Sequence, residues 1–221
     1  AAAEGLSAPP AQAAAGAQFG LAHVDVMEHH VARTPEGPRR RSDVDAAALA
    51  ARYRHAAATG ARWHRWSAYW DLVESDGFDF AVTDGLVARD RAAGLASLVV
   101  LQGNAPGAGA GGLTPGAGNP VFARADGSLT DDPAEAVRIN TDNPWARFVA
   151  AVVDRYRPGG SLAVAQGWPA GAGVRAWEIG NEPNLRHFWA GTPAEYVRLL
   201  EVAYLAIEFL DPAATVVHGG I

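Results

Sequence analysis

Residues 174–195 read VRAWEIGNEPNLRHFWAGTPAE, and the fold class follows outward from this stretch. Residues 174–180 form a short apolar run that is typical of a buried strand. Residues 192–195 (TPAE) match a capping box with proline at the first helical position, which predicts the start of a helix. A buried strand, a polar turn and a capped helix make one β/α unit, so the stretch predicts an α/β fold with a parallel sheet.

The same alternation of strand and helix signals runs along most of the chain. Short apolar runs predict strands at residues 19–24, 61–67, 96–102, 174–180 and 215–219. Helical spacing and capping residues predict helices at residues 44–59, 84–93, 143–157 and 192–210, the second of them capped by Thr83. Helices between all strands require parallel pairing with right-handed crossovers.

Two architectures fit this pattern, an open doubly wound sheet and part of a (β/α)₈ barrel. No G-x-G-x-x-G follows the first strand, and the chain contains no lysine for a G-x-x-x-x-G-K-[ST] loop, so a nucleotide-binding open sheet lacks its usual support. Residues 103–140 interrupt the rhythm with a stretch rich in Gly and Pro. We expect there a functional loop or a disordered insertion, with flexible filler favoured over a lid on the cleft.

Composition excludes several classes of function. The 221 residues are 49% hydrophobic and 19% charged, with a net charge of -6 and no cysteine. An acidic chain argues against nucleic-acid binding, and the lack of cysteine excludes disulfides, zinc–thiolate sites and cysteine nucleophiles. No window reaches the roughly 18 apolar residues of a membrane span. Residues 1–17 are expected to be a flexible tail, and an extracellular or cell-surface location is favoured without being settled.

Polar residues mark the end of the strand at residues 174–180. Asn181 and Glu182 follow it directly, and in parallel α/β folds the cleft forms where the carboxyl ends of the strands meet the loops. An isolated Asn-Glu-Pro can also be a simple turn, because Asn tolerates the left-handed conformation and Pro ends a strand. The buried strand before it and the capped helix after it favour a functional position.

Residues 177–184 (WEIGNEPN) resemble the strand-four signature of retaining glycoside hydrolases built on (β/α)₈ barrels, and within them the family 39-like group with its cellulase-type fold. Residues 60–80 resemble the second strand of these enzymes and the loop after it. Residues 188–220 resemble the helix and strand that follow their general acid/base residue. The resemblance implies an incomplete TIM barrel with about five of its eight strands, in which residues 18–221 are the N-terminal part.

The resemblance also implies roles for three residues. Glu182 would be the general acid/base, and Asn181 would contact the sugar 2-hydroxyl. Arg65, at the end of the second strand, would orient the nucleophilic carboxylate. The alternative for Arg65 is a structural ion pair inside the barrel with Glu178, and the sequence leaves the two open.

Sugar contacts are expected from aromatic and histidine side chains near the strand ends. Trp189, in the loop after strand four, is the best candidate for stacking on a sugar, and Trp66 is a second. His23 and His218 end the first and fifth strands and could line the cleft. Trp70 and Trp177 could also stack, although tryptophans in such positions pack in the core more often.

The nucleophile that the resemblance implies, a Glu at the end of strand seven, is absent from this sequence. We therefore expect a retaining O-glycosyl hydrolase that acts on a carbohydrate substrate, inactive as this chain alone, with the C-terminal half of the barrel as its partner. Glu74, Asp76 and Asp79 read as a turn rather than as a substitute. No cofactor and no metal are implied. The alternatives are a non-catalytic carbohydrate-binding or scaffold protein, and an unrelated open α/β domain, which a different strand order would reveal.

Overall fold

The computed structural model describes residues 18–25, 31–34, 37–40, 45–104 and 112–220, so the tail predicted at residues 1–17 lies outside the described residues. The strands are β1 (Gly20–Ala22), β2 (Val31–Thr34), β3 (Gly37–Arg40), β4 (Trp63–Tyr69), β5 (Ala96–Gln102), β6 (Phe122–Ala123), β7 (Leu129–Thr130), β8 (Arg138–Ile139), β9 (Ala176–Ile179) and β10 (Thr215–His218). The α-helices are α1 (Ala46–Ala58), α2 (Trp70–Val73), α3 (Ala81–Ala92), α4 (Pro144–Tyr156), α5 (Ser161–Ala165) and α6 (Pro193–Leu210), and a 3₁₀ turn spans Pro133–Glu135.

Five strands form one parallel sheet in the order β1-β4-β5-β9-β10. Each strand lies beside the next one along the chain, and at least one helix separates every consecutive pair. A doubly wound sheet would reverse its order at one point, whereas a (β/α)₈ barrel keeps its strands in sequence. The predicted α/β class is therefore confirmed, and the sheet is consistent with five consecutive strands of an incomplete barrel.

The register divides the sheet into an inner face and a helix-covered outer face. Arg65 lies beside Leu98, and Glu178 lies beside Val100, so all four side chains share the inner face. Alternate residues such as Trp177, which is fully buried, join the core beneath the helices. On the inner face, the amino-terminal halves of the strands line a mostly apolar cavity of about 640 Å³.

Two of the main helices start where the sequence predicts. The Asn143 side chain accepts the Ala146 backbone N–H ahead of Pro144 in α4, and one face of this helix is buried, with Trp145, Phe148, Val149 and Val152. In α6 both hydrogen bonds of the capping box form between Thr192 and Glu195. Within the described ranges, none of the helices is long and apolar enough to cross a bilayer.

Helix α3 begins differently from the prediction. Thr83 does not cap it, because the helix already starts at Ala81, after Phe80. The buried Thr83 hydroxyl donates to the Phe80 carbonyl at 3.2 Å and lies 2.5 Å from the Tyr156 hydroxyl. Thr83 therefore connects α3 to α4 in the core instead of ending the helix.

The stretch at residues 103–140 contains more regular structure than the sequence analysis expected. Residues 105–111 lie outside the described part, but β6 pairs with both β7 and β8 in a small antiparallel sheet. The β6–β7 hairpin turns at Asp126-Gly127, where Gly127 has a φ of 85°. An Asp-Gly pair between short apolar runs predicts a hairpin. The Gly-rich segment before it made this pattern hard to recognise in the sequence.

Candidate active site

The turn after β9 holds the two polar residues of the motif at the carboxyl edge of the sheet. Gly180 has a φ of 73°, and a Cβ there would lie 3.3 Å from the Tyr196 ring, so glycine is required at this position. Glu182 has a φ of 40°, an uncommon conformation for a residue with a side chain. Its carbonyl accepts the Leu185 backbone N–H at 2.8 Å, which holds the turn in place.

Arg65 connects the inner face of the sheet to this turn through hydrogen bonds. Its Nε donates to Glu178 Oε2 at 2.7 Å, and its Nη2 donates to Glu178 Oε1 at 2.6 Å and to Asn181 Oδ1 at 2.7 Å. Asn181 Nδ2 in turn donates to Glu182 Oε2 at 3.3 Å. The four polar side chains therefore form one connected cluster, to which β4, β9 and the turn after β9 all contribute.

Electrostatics keep the Arg65 guanidinium charged. The hydrogen bonds that Arg65 donates to Glu178 raise the pKa of Arg65 against the opposing effect of burial, and the nearby Glu182 and Tyr69 raise it further. The Glu178 side chain is only 6% exposed, whereas that of Arg65 is 30% exposed. The structure thus contains the Arg65–Glu178 ion pair that the sequence analysis kept as the alternative role of Arg65.

Three further polar residues at this edge were missed in the sequence. Ser67 and Tyr69 alternate with Arg65 along β4 and so share its inner face, and Gln102 Nε2 donates to Ser67 Oγ at 2.7 Å from the neighbouring strand β5. Side chains alternate between the two faces of a strand, so once Arg65 is expected to point inward, Ser67 and Tyr69 are expected to do the same. The inner face therefore changes from apolar at Trp63 to polar at Tyr69.

Tyr196 joins the ends of two strands beside the turn. Its hydroxyl donates to the Ile179 carbonyl at 2.8 Å and accepts the Gly219 backbone N–H at 2.9 Å. Burial raises the pKa of this phenol, so the hydroxyl keeps the proton that it donates. Tyr196 lies in the first turn of α6, where the capping box fixes the helix against the carboxyl ends of β9 and β10.

Of the tryptophans expected at the cleft, Trp66 packs in the core, and its predicted contact with sugar is wrong. It is 2% exposed and its indole N–H donates to the buried Asp90 at 3.1 Å, because alternation along β4 sends it to the face opposite Arg65. Trp70 and Trp177 are buried as well. Trp189 is partly exposed in the loop between β9 and α6, and its indole N–H donates to the Thr192 carbonyl at 3.1 Å.

The two histidines expected at the cleft differ in their placement. His218 pairs in register with the core residue Ile179, so its side chain leaves the sheet on the outer face and does not line the inner one. This placement contradicts the prediction for His218. His23 is exposed after β1, and its backbone N–H donates to the Arg65 carbonyl at 3.2 Å. Only the backbone of His23 is thus tied to the strand that carries Arg65.

Glu74 has a structural role. It is buried, accepts the Trp70 indole N–H at 2.8 Å and pairs with Arg147, so it fixes the short helix α2 against α4. Within the described part of the chain, no group of three or more His, Cys, Asp or Glu side chains is arranged to hold a metal ion.

Comparison with known proteins finds similarity only among solved structures. The sequence matches no protein family and no curated protein. The chain is similar to a glucosidase from Croceicoccus marinus, with 19% identity, a TM-score of 0.45, and coverage of 76% of this chain and 32% of the glucosidase. It is also similar to a family 39 glycoside hydrolase from the gut symbiont Bacteroides cellulosilyticus WH2, with 18% identity, a TM-score of 0.45, and coverage of 77% and 29%. The chain spans about a third of the length of each structure.

Proposed function

We propose that this chain carries the general acid/base of a retaining O-glycosyl hydrolase that acts on polysaccharide or oligosaccharide. The observation that carries the proposal is the hydrogen-bonded series from Arg65 through Asn181 to Glu182 at the carboxyl edge of a parallel sheet. Chemistry in such folds takes place at this edge, and glycoside hydrolysis requires a positioned carboxyl group there.

Glu182 supplies the proton transfers in this proposal. Its carboxyl group protonates the glycosidic oxygen as the bond to the anomeric carbon breaks, which leaves Glu182 as a carboxylate. The same carboxylate then removes a proton from the water that attacks the glycosyl–enzyme bond, and the original protonation state is restored. Glu182 is partly exposed, so a sugar and a water molecule can both reach it.

Asn181 is oriented for one particular contact. Its Oδ1 accepts from the Arg65 guanidinium, which has no acceptor, so the amide nitrogen must face the side where Glu182 lies. An N–H group held beside the acid/base can donate to the sugar 2-hydroxyl, a contact that strengthens in the oxocarbenium-like transition state. The Arg65–Glu178 ion pair fixes the guanidinium and thereby the amide.

A retaining mechanism also requires a second carboxylate, about 5–5.5 Å from the first. Glu178 is occupied by its two hydrogen bonds from Arg65, so we propose that the nucleophile comes from the remaining barrel strands as the partner of this chain. Arg65 Nη1 donates to none of the described residues and remains available to orient that carboxylate. The chain alone is then expected to bind sugar without hydrolysing it.

Aromatic side chains near Glu182 supply the stacking surface in this proposal. Trp189 is held by its bond to Thr192 and by an edge contact with the Tyr196 ring, with 6.0 Å between ring centroids. Phe188, which the sequence analysis overlooked, is 41% exposed, and its ring lies 4.1 Å from that of His187. Rings that are exposed in the loop after Glu182 suit the apolar face of a pyranose.

Hydrolysis of a panel of aryl β-glycosides tests the proposal, with the protein produced both as these residues alone and as its full reading frame. We expect turnover only from the full product, and Glu182→Gln should abolish most of it, whereas Glu208→Gln on α6 serves as the matched control. Turnover that survives Glu182→Gln would refute the assignment. Sugar binding by the full product without any turnover would favour the non-catalytic carbohydrate-binding or scaffold protein.

A further inference from the structure

The carboxyl ends of β4, β5, β9 and β10 share one row of inward positions, called here the mouth row. Tyr69 on β4 lies in register beside Gln102 on β5. The row continues with Gly180, directly after β9, whose N–H donates to the Leu101 carbonyl at 2.9 Å. Gly219 follows on the β10 side, where its N–H bonds to the end of β9 at 3.0 Å. Among these four strands, only β4 and β5 therefore bring side chains to the mouth row.

The backbone and the amide of Gln102 are both fixed against β4. The next residue, Gly103, has a φ of 105°, and a Cβ there would lie 3.1 Å from the Trp70 backbone nitrogen, so glycine is required for this close approach. Gln102 Nε2 donates to Ser67 Oγ at 2.7 Å, and both residues are about nine-tenths buried. Ser67 therefore positions the amide of Gln102 on the inner face.

The bond to Ser67 leaves most of the hydrogen-bonding capacity of this amide unused. A glutamine amide has two N–H donors and an oxygen that accepts twice, and the serine hydroxyl engages one of these positions. Gln102 Oε1 accepts from none of the described residues, and it is not one of their enclosed polar atoms without a partner, so a ligand can reach it from the cleft. A sugar hydroxyl, which both donates and accepts, matches such an amide.

We propose that Gln102 binds the 3-hydroxyl of the sugar on which Glu182 acts, and that Ser67 positions its amide for this contact. The inference rests on the glycosidase function proposed above, in which Asn181 contacts the 2-hydroxyl. The 3-hydroxyl is the next one around the ring, and the strand beside β9 that brings a side chain to the mouth row is β5, about 4.8 Å away. On the other side of β9 the row has only Gly219. Gln102 thereby selects sugars by the presence and orientation of their 3-hydroxyl.

Steady-state kinetics of the full reading-frame product test this inference on the best aryl β-glycoside of the panel and on its 3-deoxy and 4-deoxy analogues. Gln102→Ala should lower kcat/KM on the parent sugar by about tenfold, the loss of one hydrogen bond. On the 3-deoxy sugar it should change kcat/KM by less than about twofold, because the contact is already absent. On the 4-deoxy sugar the tenfold loss should remain. Gln166→Ala, at an exposed position after α5, is the matched control.

The pattern across the three sugars separates the outcomes. A loss that disappears only with the 3-deoxy sugar supports the inference, and Ser67→Ala should show the same pattern more weakly. Equal losses on all three sugars, a loss that disappears with the 4-deoxy sugar instead, or no loss at all overturns the inference, while the proposed function stands if Glu182→Gln abolishes turnover. If Gln102→Ala fails to fold, Gln102→Met, which keeps the length of the side chain, is judged by the same criteria. If the full product hydrolyses no glycoside, the proposed function and this inference fail together.

Discussion

At the scale of single residues, the Arg65 guanidinium determines how the cluster at the carboxyl edge is oriented. It donates to Glu178 twice and to Asn181 once, and the Asn181 amide has only one orientation that accepts this donor. A charged, bidentate donor fixes its partners in direction as well as in distance. The fold itself therefore holds the amide nitrogen of Asn181 beside Glu182.

Replacement of Asn181 by Ala should reduce kcat/KM of the full reading-frame product by about 10²-fold, since a hydrogen bond that strengthens in the transition state is lost. KM for the same aryl glycoside should change much less. The exposed Asn184, three residues further along, offers Asn184→Ala as the control. Equal effects of the two substitutions, measured by steady-state kinetics, would contradict the assigned contact.

At the scale of secondary-structure elements, the first turn of α6 fixes the ends of β9 and β10. The Tyr196 hydroxyl bridges the Ile179 carbonyl and the Gly219 N–H, and the capping box of Thr192 and Glu195 fixes the helix start beside it. The turn that carries Asn181 and Glu182 begins directly after Ile179. Its position therefore depends on a helix that follows it in the chain.

Tyr196→Phe should lower the free energy of unfolding by about 0.5–1.5 kcal/mol, because it removes the two hydrogen bonds of the hydroxyl while the Gly219 N–H and the Ile179 carbonyl keep their own bond of 3.0 Å. Urea denaturation followed by circular dichroism measures this difference. Tyr204 lies on the same helix and is 48% exposed, so Tyr204→Phe should change stability by less than about 0.5 kcal/mol. A loss of the same size in both variants would show that the bridge has no special role.

The Glu195 carboxylate makes the start of α6 sensitive to acid. Its hydrogen bonds from Thr192 lower its folded pKa below the value of about 4.3 in the unfolded chain. The carboxylate therefore stabilises the fold above the unfolded pKa, and this contribution is lost as the pH falls through the lower, folded pKa. Thermal unfolding should separate the original protein from Glu195→Gln at pH 7, and the difference in Tm should shrink as the pH falls below about 4.3 and disappear once the pH lies below the folded pKa. A difference that is independent of pH would contradict this.

At the scale of the whole molecule, the alternating pattern of the sequence predicts the parallel sheet correctly because each β/α unit is local. Apolar runs, capping residues and glycines lie within a few residues of one another, as at Asn143-Pro144 before α4. The side of the sheet on which a residue lies depends instead on register. Trp66 and His218 were therefore assigned to the cleft although they lie on the outer face with the helices.

Long-range contacts explain the remaining differences between sequence and structure. The composition of residues 103–140 predicts flexible filler, but Arg198 donates to the Gly118 carbonyl 80 residues away, a contact that no local pattern records. The Arg65–Glu178 pair spans 113 residues, and the sequence allowed it only as an alternative. Local patterns predict which polar residues lie at the strand ends, whereas the partners that orient them are visible only in the folded sheet.

The most direct test of Glu182 as the acid/base is rescue of Glu182→Ala by azide in the full reading-frame product. With a 2,4-dinitrophenyl glycoside the leaving group needs no protonation, so bond cleavage should survive and attack by water should become slow. Azide needs no general base, so it should restore turnover and release a glycosyl azide with the anomeric configuration of the substrate. Two results would contradict the account. In one, Glu182→Ala without azide turns over as fast as the unsubstituted protein. In the other, azide fails to restore the turnover of Glu182→Ala.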